Sequence, residues 1–600
     1  MPRNRVQSFY VARLKKASFR EVFHRIREAW FIKRIPVAEG FRPAPVPDAS
    51  IQDLHLPRWI ETSGGTGIGE ILADQVFSFG VENQEIERFE DRWRRTPFAG
   101  VKVVDGNPDI RSVWEAGRLQ DLTCLLHEIR EKTASKRTAE MKEVTRGRLM
   151  AWLSKNPMPL GPHFMSVMEC GLRIPVFIAA LKILDNLTFQ ERQSILKATY
   201  EHAWLIGNRL SLYSSLGNHT VAECVGLVFA GALFRTDPLR PEWLSTGIRL
   251  LEQEANHQIL EDGGPAEQSI NYHRMVLDLY WLAVGFLEAN KLHDCSGMRN
   301  RLSKGEEFIH ALEGPLPSIG DSDDGFAVAP VLHPFCRPDG NGARKREASE
   351  GGLQVFADTG LSVLRLPGGT RLTFDHGPLG MAPLYNHGHS DALSITLYVN
   401  GKPFLVDPGT YRYNGAGPYR SYFKSTRAHN TVAINGEDQA VQVTGFIWEK
   451  PYRIIDFKKQ WNDGNGFMSA AHDGYSRLRN PVFHTRSVTV NNPASLLIED
   501  SFQGRGIHSF ELNYHLHPDV KVTLAASGRE ATLESGGSRI ELQILEGKMD
   551  IVKGQASPLL GWYSPSYGKL EETSVLHFEQ KGSPDQVRFT TRINLGPNSA

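Results

Sequence analysis

From about residue 60 to 315, apolar positions recur at intervals of three and four. Asp121–Glu131, Val167–Leu184, Phe189–Leu205, Thr220–Phe234 and Tyr272–Ala289 each carry such a stripe, and Gly, Pro or Asn breaks separate them. Each stripe predicts an amphipathic helix. Successive helices on short connections predict helical hairpins stacked as a bundle, solenoid or toroid. Near residue 340 the period changes. Pro338-Asp339-Gly340-Asn341-Gly342 reads as a turn or linker. Beyond it lie short alternating runs at Leu361–Leu366, Leu393–Val399, Thr431–Ile434, Ser487–Val490, Ser495–Ile498, Val520–Leu524 and Arg539–Leu545. Asn400-Gly401, between two apolar runs, signals a hairpin, and Asn435-Gly436 offers a second. Many short strands with such turns predict an antiparallel sandwich. The chain therefore divides into a helical extension over 1–55, a helical domain over 56–340 and an antiparallel β domain over 341–600.

Composition narrows the function. The 600 residues are 40% hydrophobic, with 68 Lys+Arg balanced by 68 Asp+Glu. A neutral chain lacks the excess cations that a bulk nucleic-acid binder uses to displace phosphate counterions. No apolar run approaches the roughly 18–20 residues of a membrane span. The five cysteines, Cys124, Cys170, Cys224, Cys295 and Cys336, are odd in number and scattered, so buried thiols are expected rather than a disulfide framework. The first 34 residues are basic and lack the apolar core of a secretory signal. That predicts a cytoplasmic chain, with the periplasm as the alternative. Phe19, Val22, Phe23, Ile26 and Trp30 stand at helical spacing in this segment. Such a helix suits either docking on the protein's own surface or peripheral contact with an anionic membrane.

Three polar clusters interrupt the pattern. Gly217-Asn218-His219 opens an apolar helix, where Asn218 could serve as N-cap. Glu261 to His273 is a Gly-rich polar run feeding a helix of aromatics. The third cluster joins Asn386-His387-Gly388-His389-Ser390-Asp391, Asp407-Pro408-Gly409 and Arg427-Ala428-His429-Asn430. Several His with an Asp suit a zinc site of the nitrogen and oxygen type. Between Asp407 and Glu437 there is no acidic residue, while Arg412, Arg420, Lys424 and Arg427 alternate with Tyr411, Tyr413, Tyr419 and Tyr422. That stretch is either a solvated basic loop or a groove for an anionic sugar polymer, with guanidinium groups for carboxylate or sulfate and rings for sugar faces.

Taken in order, these clusters resemble the heparinase II/III-like polysaccharide lyases, a family that includes alginate lyases. The resemblance runs from about residue 60 onward. It rests on Asp109–Arg118 (DIRSVWEAGR), Asn218-His219, Glu267–His273 (EQSINYH), Asn386–Asp391 (NHGHSD), Asp407-Pro408-Gly409 and Arg427–Val432 (RAHNTV). His472-Asp473-Gly474-Tyr475 and His515-Leu516-His517-Pro518 add to it. It implies a multidomain α + β fold, an incomplete (α/α) toroid followed by an antiparallel β-sandwich. It also implies β-elimination at a 4-linked uronic acid of an acidic polysaccharide. Asn218 would neutralise the uronate carboxylate, helped by His219 or His387. Tyr272 would shuttle protons and His387 would be the other catalytic group. Arg118, Glu267 and His273 would join Arg412 and Arg427 in binding substrate. His389, Asp407 and His429 look like the ligands of a structural or site-organising zinc.

The chemistry suits these residue types. Removing the C5 proton of a uronate builds a dianion, which preorganised donors stabilise. Tyrosine ionises at about pH 10 in water, and neighbouring cations favour its phenolate. One Tyr serves both proton steps if they lie on the same side of the sugar; otherwise a His, either His219 or His387, takes the proton and Tyr272 gives one. Two other classes compete. A glycoside hydrolase needs a carboxylate pair across the bond, for which Glu261/Asp262 with Glu267, or Asp321/Asp323/Asp324, are candidates. A non-catalytic accessory protein of envelope polysaccharide synthesis would need no acid/base set.

Overall fold

The computed structural model describes residues 17–35, 51–61, 83–103, 108–132, 135–213, 216–235, 242–312, 314–322, 325–329, 332–334, 351–462 and 464–595. The expected linker at Pro338–Gly342, together with Cys336, Asp323 and Asp324, lies outside the described residues.

The helical stripes fold as expected. The described helices are α1 (Phe19–Arg34), α2 (Asn83–Trp93), α3 (Ile110–Ala116), α4 (Gln120–Glu131), α5 (Lys136–Lys155), α6 (Val167–Ile183), α7 (Phe189–Arg209), α8 (Asn218–Leu233), α9 (Trp243–Gln258), α10 (Ile270–Ala289) and α11 (Ser296–Ala311). Helix α8 packs on its sequence neighbours α7 and α9 and also on α6 and α10. Helices α6, α8 and α10 are apolar on nearly every face and are buried accordingly. They form the centre of a core that includes Phe177, Phe229 and Phe286, the last two with rings stacked at 3.8 Å. A two-stranded ribbon pairs Trp59–Glu61 with Leu332–Pro334 and so ties the start of the helical region to its end. Cys124, Cys170, Cys224 and Cys295 are buried thiols, as their scatter predicted.

The β half is antiparallel at every named pairing. One sheet is a five-stranded meander, β1 (Gly352–Phe356), β2 (Leu361–Leu366), β3 (Thr370–Asp375), β4 (Ile395–Val399) and β5 (Lys402–Leu405). A second contains β6 (Val432–Ile434). The largest has eight strands, among them β7 (Ile454–Asn462), β8 (Asn465–His472), β9 (Val482–Asn492) and β10 (Ser495–Gly504). The second sheet is completed by β11 (His508–His515) and the strands Asp550–Lys553 and Ser574–Gly582. The inner faces share one apolar core, with Phe374, Ile434, Val488, Phe510 and Ile593 contributing from different strands. Asn400-Gly401 joins β4 to β5 with both residues at positive φ, 51° and 70°, as a tight hairpin requires. Asn435-Gly436 forms a second tight turn, closed by a bridge between Ile434 and Glu437.

The two halves meet through a small apolar cluster. Ile270 and Phe308 of the helices pack against Phe356, Leu361 and Val363 of the five-stranded sheet. Asp109 adds a polar tie. It caps α3 through Arg111 N (3.0 Å), accepts from Asn414 Nδ2 (3.1 Å) and from the Tyr567 hydroxyl.

Within the sandwich the most demanding feature is a buried charge. Arg486 on β9 stands opposite Asp500 on β10 and binds it through Nε (2.8 Å) and Nη2 (3.0 Å). Its remaining nitrogen donates to Leu393 O (2.8 Å) and Asn430 O. Burial would raise the Asp500 carboxyl, but Arg486 and His484 outweigh it and hold the group below its ordinary range. Asp500→Ala should therefore cost about 3–5 kcal/mol by stranding the guanidinium, measured by denaturant unfolding; a loss under about 1 kcal/mol would refute this. The depressed carboxyl contributes stability that is full above its unfolded value of about 3.9 and fades as pH falls through its folded value. Asp500→Asn should accordingly flatten the acid side of the stability profile.

Candidate active site

The seam between the halves opens into a cavity of about 400 Å³. Its helical wall comes from α3 (Arg111, Glu115), the start of α8 (Asn218, His219) and the first turns of α10 (Tyr272, Met275). Its β wall comes from two loops, 376–394 and 406–431, which supply His387 and Tyr413. A roomier cleft of about 540 Å³ between α5 and α7 lies elsewhere, and its His202 is bound to Arg173.

Local sequence explains why each group points inward. Helix α8 begins at Asn218, not at Thr220. Gly217 is the cap residue and Asn218 makes no capping bond, so the expected N-cap role is corrected and its amide is free to face the cavity. Gly217 has φ 137°, and a Cβ there would lie 2.2 Å from Glu267 Oε1. No side chain fits. Ser269 caps α10 by accepting from Tyr272 N (3.3 Å) and donates to Asp321 O (2.8 Å), which fixes Tyr272 in the first turn. Gly388 separates His387 from His389 because a Cβ there would fall 1.4 Å from Leu379 O.

The central group is Asp321, which is fully buried. It binds Arg420 through both guanidinium nitrogens, His387 Nδ1 at 3.2 Å and His389 Nε2 at 3.0 Å. Burial alone would raise its carboxyl, but Arg420 first, then the two histidines, hold it well below the usual range. An ionised carboxylate can only accept, so His387 carries its proton on Nδ1 and presents the Nε2 lone pair to the cavity. Around that atom lie Asn218 Nδ2 at 3.5 Å and Glu267 Oε1 at 3.8 Å. Asn218 Nδ2 is 3.3 Å from Glu267 Oε2. These separations are long for hydrogen bonds, so the amide is oriented rather than consumed. Burial raises the Glu267 carboxyl, with His387 and Asn218 partly offsetting it. The Tyr272 ring packs on His387 with centroids 4.3 Å apart, and its hydroxyl shares a hydrogen bond of 2.8 Å with Tyr413. Burial brings His219 down to about 4, so it is neutral at pH 7.

The structure thus brings Asn218, His219, Tyr272, His387, Arg118 and Glu267 to one cavity. Arg118 enters it already paired, to Glu169 (2.7 and 3.0 Å) and Glu115 (2.8 Å). Three expected substrate contacts are corrected. His273 follows Tyr272 on α10 and therefore faces away, edge-on to Phe308 in the core. Arg427 is bound to Glu511 at 2.6 Å, and Arg412 lies against Tyr411 at 5.4 Å, both outside the cavity lining. The acid-free stretch is not a basic groove. Arg420 serves Asp321, and Lys424 is buried over Trp448 with its Nζ on Gly445 O (3.0 Å). Of its four tyrosines only Tyr413 lines the cavity. Carboxylates distant in sequence, at 321 and 511, supply the missing negative charge, and no local pattern displays them. The hydrolase candidates fare no better. Glu261 is exposed and bound to Arg301 and Lys304, while Asp262 holds the backbone at 358 and 359.

Asp321, Arg420 and Tyr413 are the functional residues that sequence reading did not place. Asp321 stood out only as part of a short acidic run, and the other two as members of a surface-like loop.

Behind the cavity, His389, Asp407 and His429 offer ligand atoms within 4.8 Å of one another, and all three are buried. His389 Nε2 must donate to Asp321 and His429 Nδ1 donates to Asp407 Oδ2 (3.0 Å). This leaves His389 Nδ1 and His429 Nε2 buried and without a hydrogen-bond partner. Two orphaned imidazole nitrogens beside a carboxylate fit a divalent metal of borderline character.

A helical toroid closed by an antiparallel sandwich, with acid/base groups at the seam, defines the class of fold. The chain belongs to the heparinase II/III family: the heparinase II/III N-terminus pattern matches residues 139–313 and the heparinase II/III-like C-terminal pattern matches 348–594. Two curated relatives are heparin-sulfate lyases. The one from Bacteroides stercoris is 26% identical over 430 residues, covering 65% of this chain and 59% of its own length. The one from Bacteroides thetaiotaomicron is 24% identical over 412 residues, covering 61% and 56%. The chain thus spans less than two thirds of either relative. Among solved structures, heparinase III superposes with a TM-score of 0.67 at 16% identity over 100% of this chain and 92% of that one. A heparan sulfate lyase HepC mutant from Pedobacter heparinus gives 0.58 at 16% identity, over 96% and 89%. The expected toroid-plus-sandwich architecture holds.

Asp321 and Arg420 should be energetically coupled. Asp321→Ala and Arg420→Ala should each cost about 3–5 kcal/mol by stranding a buried charge. The double variant should cost clearly less than their sum. Additive losses in a double-mutant cycle would refute the pairing.

Proposed function

We propose that this protein is a polysaccharide lyase that cleaves a glycosaminoglycan at a 4-linked uronic acid by β-elimination. The observation that carries the reading is the fixed tautomer of His387. Its Nδ1 proton is held by Asp321, and its Nε2 lone pair faces a cavity that also holds Tyr272 and Asn218. That is a base, an acid and a carboxylate donor in one place. The heparin-sulfate lyase relatives support a glycosaminoglycan as the substrate class.

In the reaction, Asn218 Nδ2 donates to the uronate carboxylate and lowers the cost of charge building there. Glu267, its carboxyl raised by burial, lies 3.3 Å from the same amide and helps to aim it. His387 Nε2 takes the C5 proton. The electron pair forms the C4–C5 double bond and the C4–O4 bond breaks. Tyr272 gives its hydroxyl proton to the departing O4, and Tyr413, at 2.8 Å, donates to the phenolate that remains. His219 is neutral and lines the same wall, where its ring N–H serves as a second donor.

We further propose that His389, Asp407 and His429 hold zinc. The ion would rigidify the wall that carries His387, since Asp321 touches both His389 and His387. A carboxylate pair flanking a glycosidic bond, which hydrolysis needs, is not offered by Glu115 and Glu169, because Arg118 binds both.

Digestion of heparan sulfate, followed by near-ultraviolet absorbance, should yield unsaturated uronide. Tyr272→Phe and His387→Ala should each lower kcat by about 10²–10⁴-fold, and Asn218→Ala by about 10²–10³-fold. Saturated products only, from every uronate polymer tried, would sink the lyase reading. Full activity in the variants would sink the site assignment. Because His219 is held at about 4, His219→Gln should leave the acid limb of the kcat/KM profile unmoved above about pH 5; a shift near pH 6.5 would contradict it. Elemental analysis should find one zinc per chain, lost with lowered thermal stability in His389→Ala.

A further inference from the structure

We propose that α1 is an interfacial helix that docks the protein on an anionic phospholipid surface. The observation is its orientation. A helix on a globular protein normally turns its apolar stripe inward, whereas α1 turns four large apolar residues outward.

The docked side of α1 combines polar ties with the apolar anchors Phe31 and Ile32. His24 Nε2 lies 3.0 Å from Leu210 O, and Arg25 Nη2 donates to Tyr213 O at 3.1 Å. Arg25 also binds Glu21, and Glu28 pairs with Arg209 at 3.5 Å. The main apolar anchor is Phe31, packed on Trp204 with ring centroids 5.0 Å apart. The outward side carries Phe19, Phe23, Ile26 and Trp30, which are 85%, 60%, 63% and 47% exposed. Their spacing of four, three and four residues lines them along one face.

The charges divide along the same line. Both acidic residues of α1, Glu21 and Glu28, face the toroid and are paired there. The charged groups on the exposed side are Arg20, Arg27, Lys33 and Arg34, all cationic. Arg34 lies over the Trp30 ring at 4.0 Å. Among the described residues this outward face of large apolar groups is bordered by cations such as Arg20 and Arg27, which is what an anionic bilayer takes up: apolar side chains enter the acyl boundary while cations meet the phosphates. A second copy of this chain is a poorer occupant, because two such faces would bring like charges together. Among the described residues no helix is long and apolar enough to cross a membrane.

The test is flotation of the full chain with vesicles. Vesicles of phosphatidylglycerol and phosphatidylethanolamine should carry the protein, and vesicles of phosphatidylcholine alone should carry at least about tenfold less. The double variants Phe23→Ser/Ile26→Ser and Arg20→Glu/Arg27→Glu should each lower binding by about tenfold or more. Because the replaced side chains are exposed, both variants should keep the parent's thermal midpoint and its activity on soluble polymer. The proposal is overturned if anionic vesicles carry no protein, if phosphatidylcholine serves equally, or if either variant floats like the parent. It is also overturned if sedimentation shows a dimer that Phe23→Ser/Ile26→Ser dissolves, or if footprinting without vesicles finds Phe23 and Ile26 shielded by residues 1–16 or 36–50.

Discussion

The carboxylate of Asp321 is the constraint around which the seam is organised. It is removed from water and takes four hydrogen bonds, from Arg420, His387 and His389. A buried anion is tolerable only when so many donors converge on it. Satisfying it recruits the loops 376–394 and 406–431 and, through Ser269 and the backbone of residue 321, the start of α10. One charge thus sets the orientation of His387, a contact of His389 and the position of Tyr272. None of these could relax independently without leaving a buried group unpaired.

Apolar contacts complement these polar ties across the seam, and Tyr413 and Tyr567 of the β half pack into the helical core. The shared cluster of Ile270, Phe308, Phe356, Leu361 and Val363 fixes the distance between helices and sheet. Asp109 adds direction, since it caps α3 and grips Asn414 and Tyr567 of the β half. Arg486 works in the same way behind the site. Its guanidinium reaches from the eight-stranded sheet to the carbonyl of Asn430, next to His429. Charges inside this protein act as joints between pieces of backbone that the apolar pattern alone would leave loosely registered.

Much of the fold could be read from periodicity, because burial acts on intervals of three and a half or two residues wherever a face is covered. Leu361–Leu366 is found as a strand with the bounds its alternation gives, and Val167 onward as a helix. Asn218, Tyr272, His387 and the His389, Asp407, His429 set were legible as clusters, because glycines and polar residues break apolar runs where a cavity is lined. What could not be read is pairing across long chain distances. Arg420 and Asp321 stand 99 residues apart, and Arg427 and Glu511 stand 84 apart. A run of cations without local acids therefore looked like an electropositive groove, although its members were already neutralised in space. His273 misled for a simpler reason, since its neighbour Tyr272 faces the cavity and one step along a helix turns a side chain by about 100°.

The pairing of Arg118 between Glu115 and Glu169 has a kinetic consequence. A cavity whose fixed charges cancel within a few ångströms projects little field beyond the Debye length of about 8 Å at physiological salt. If the substrate is the polyanion proposed above, it is neither drawn in from a distance nor held there by a standing cationic wall. Encounter is then governed by diffusion and fit, with weak sensitivity to ionic strength. On the proposed lyase reading, departure of the cut ends would not be opposed by electrostatic trapping.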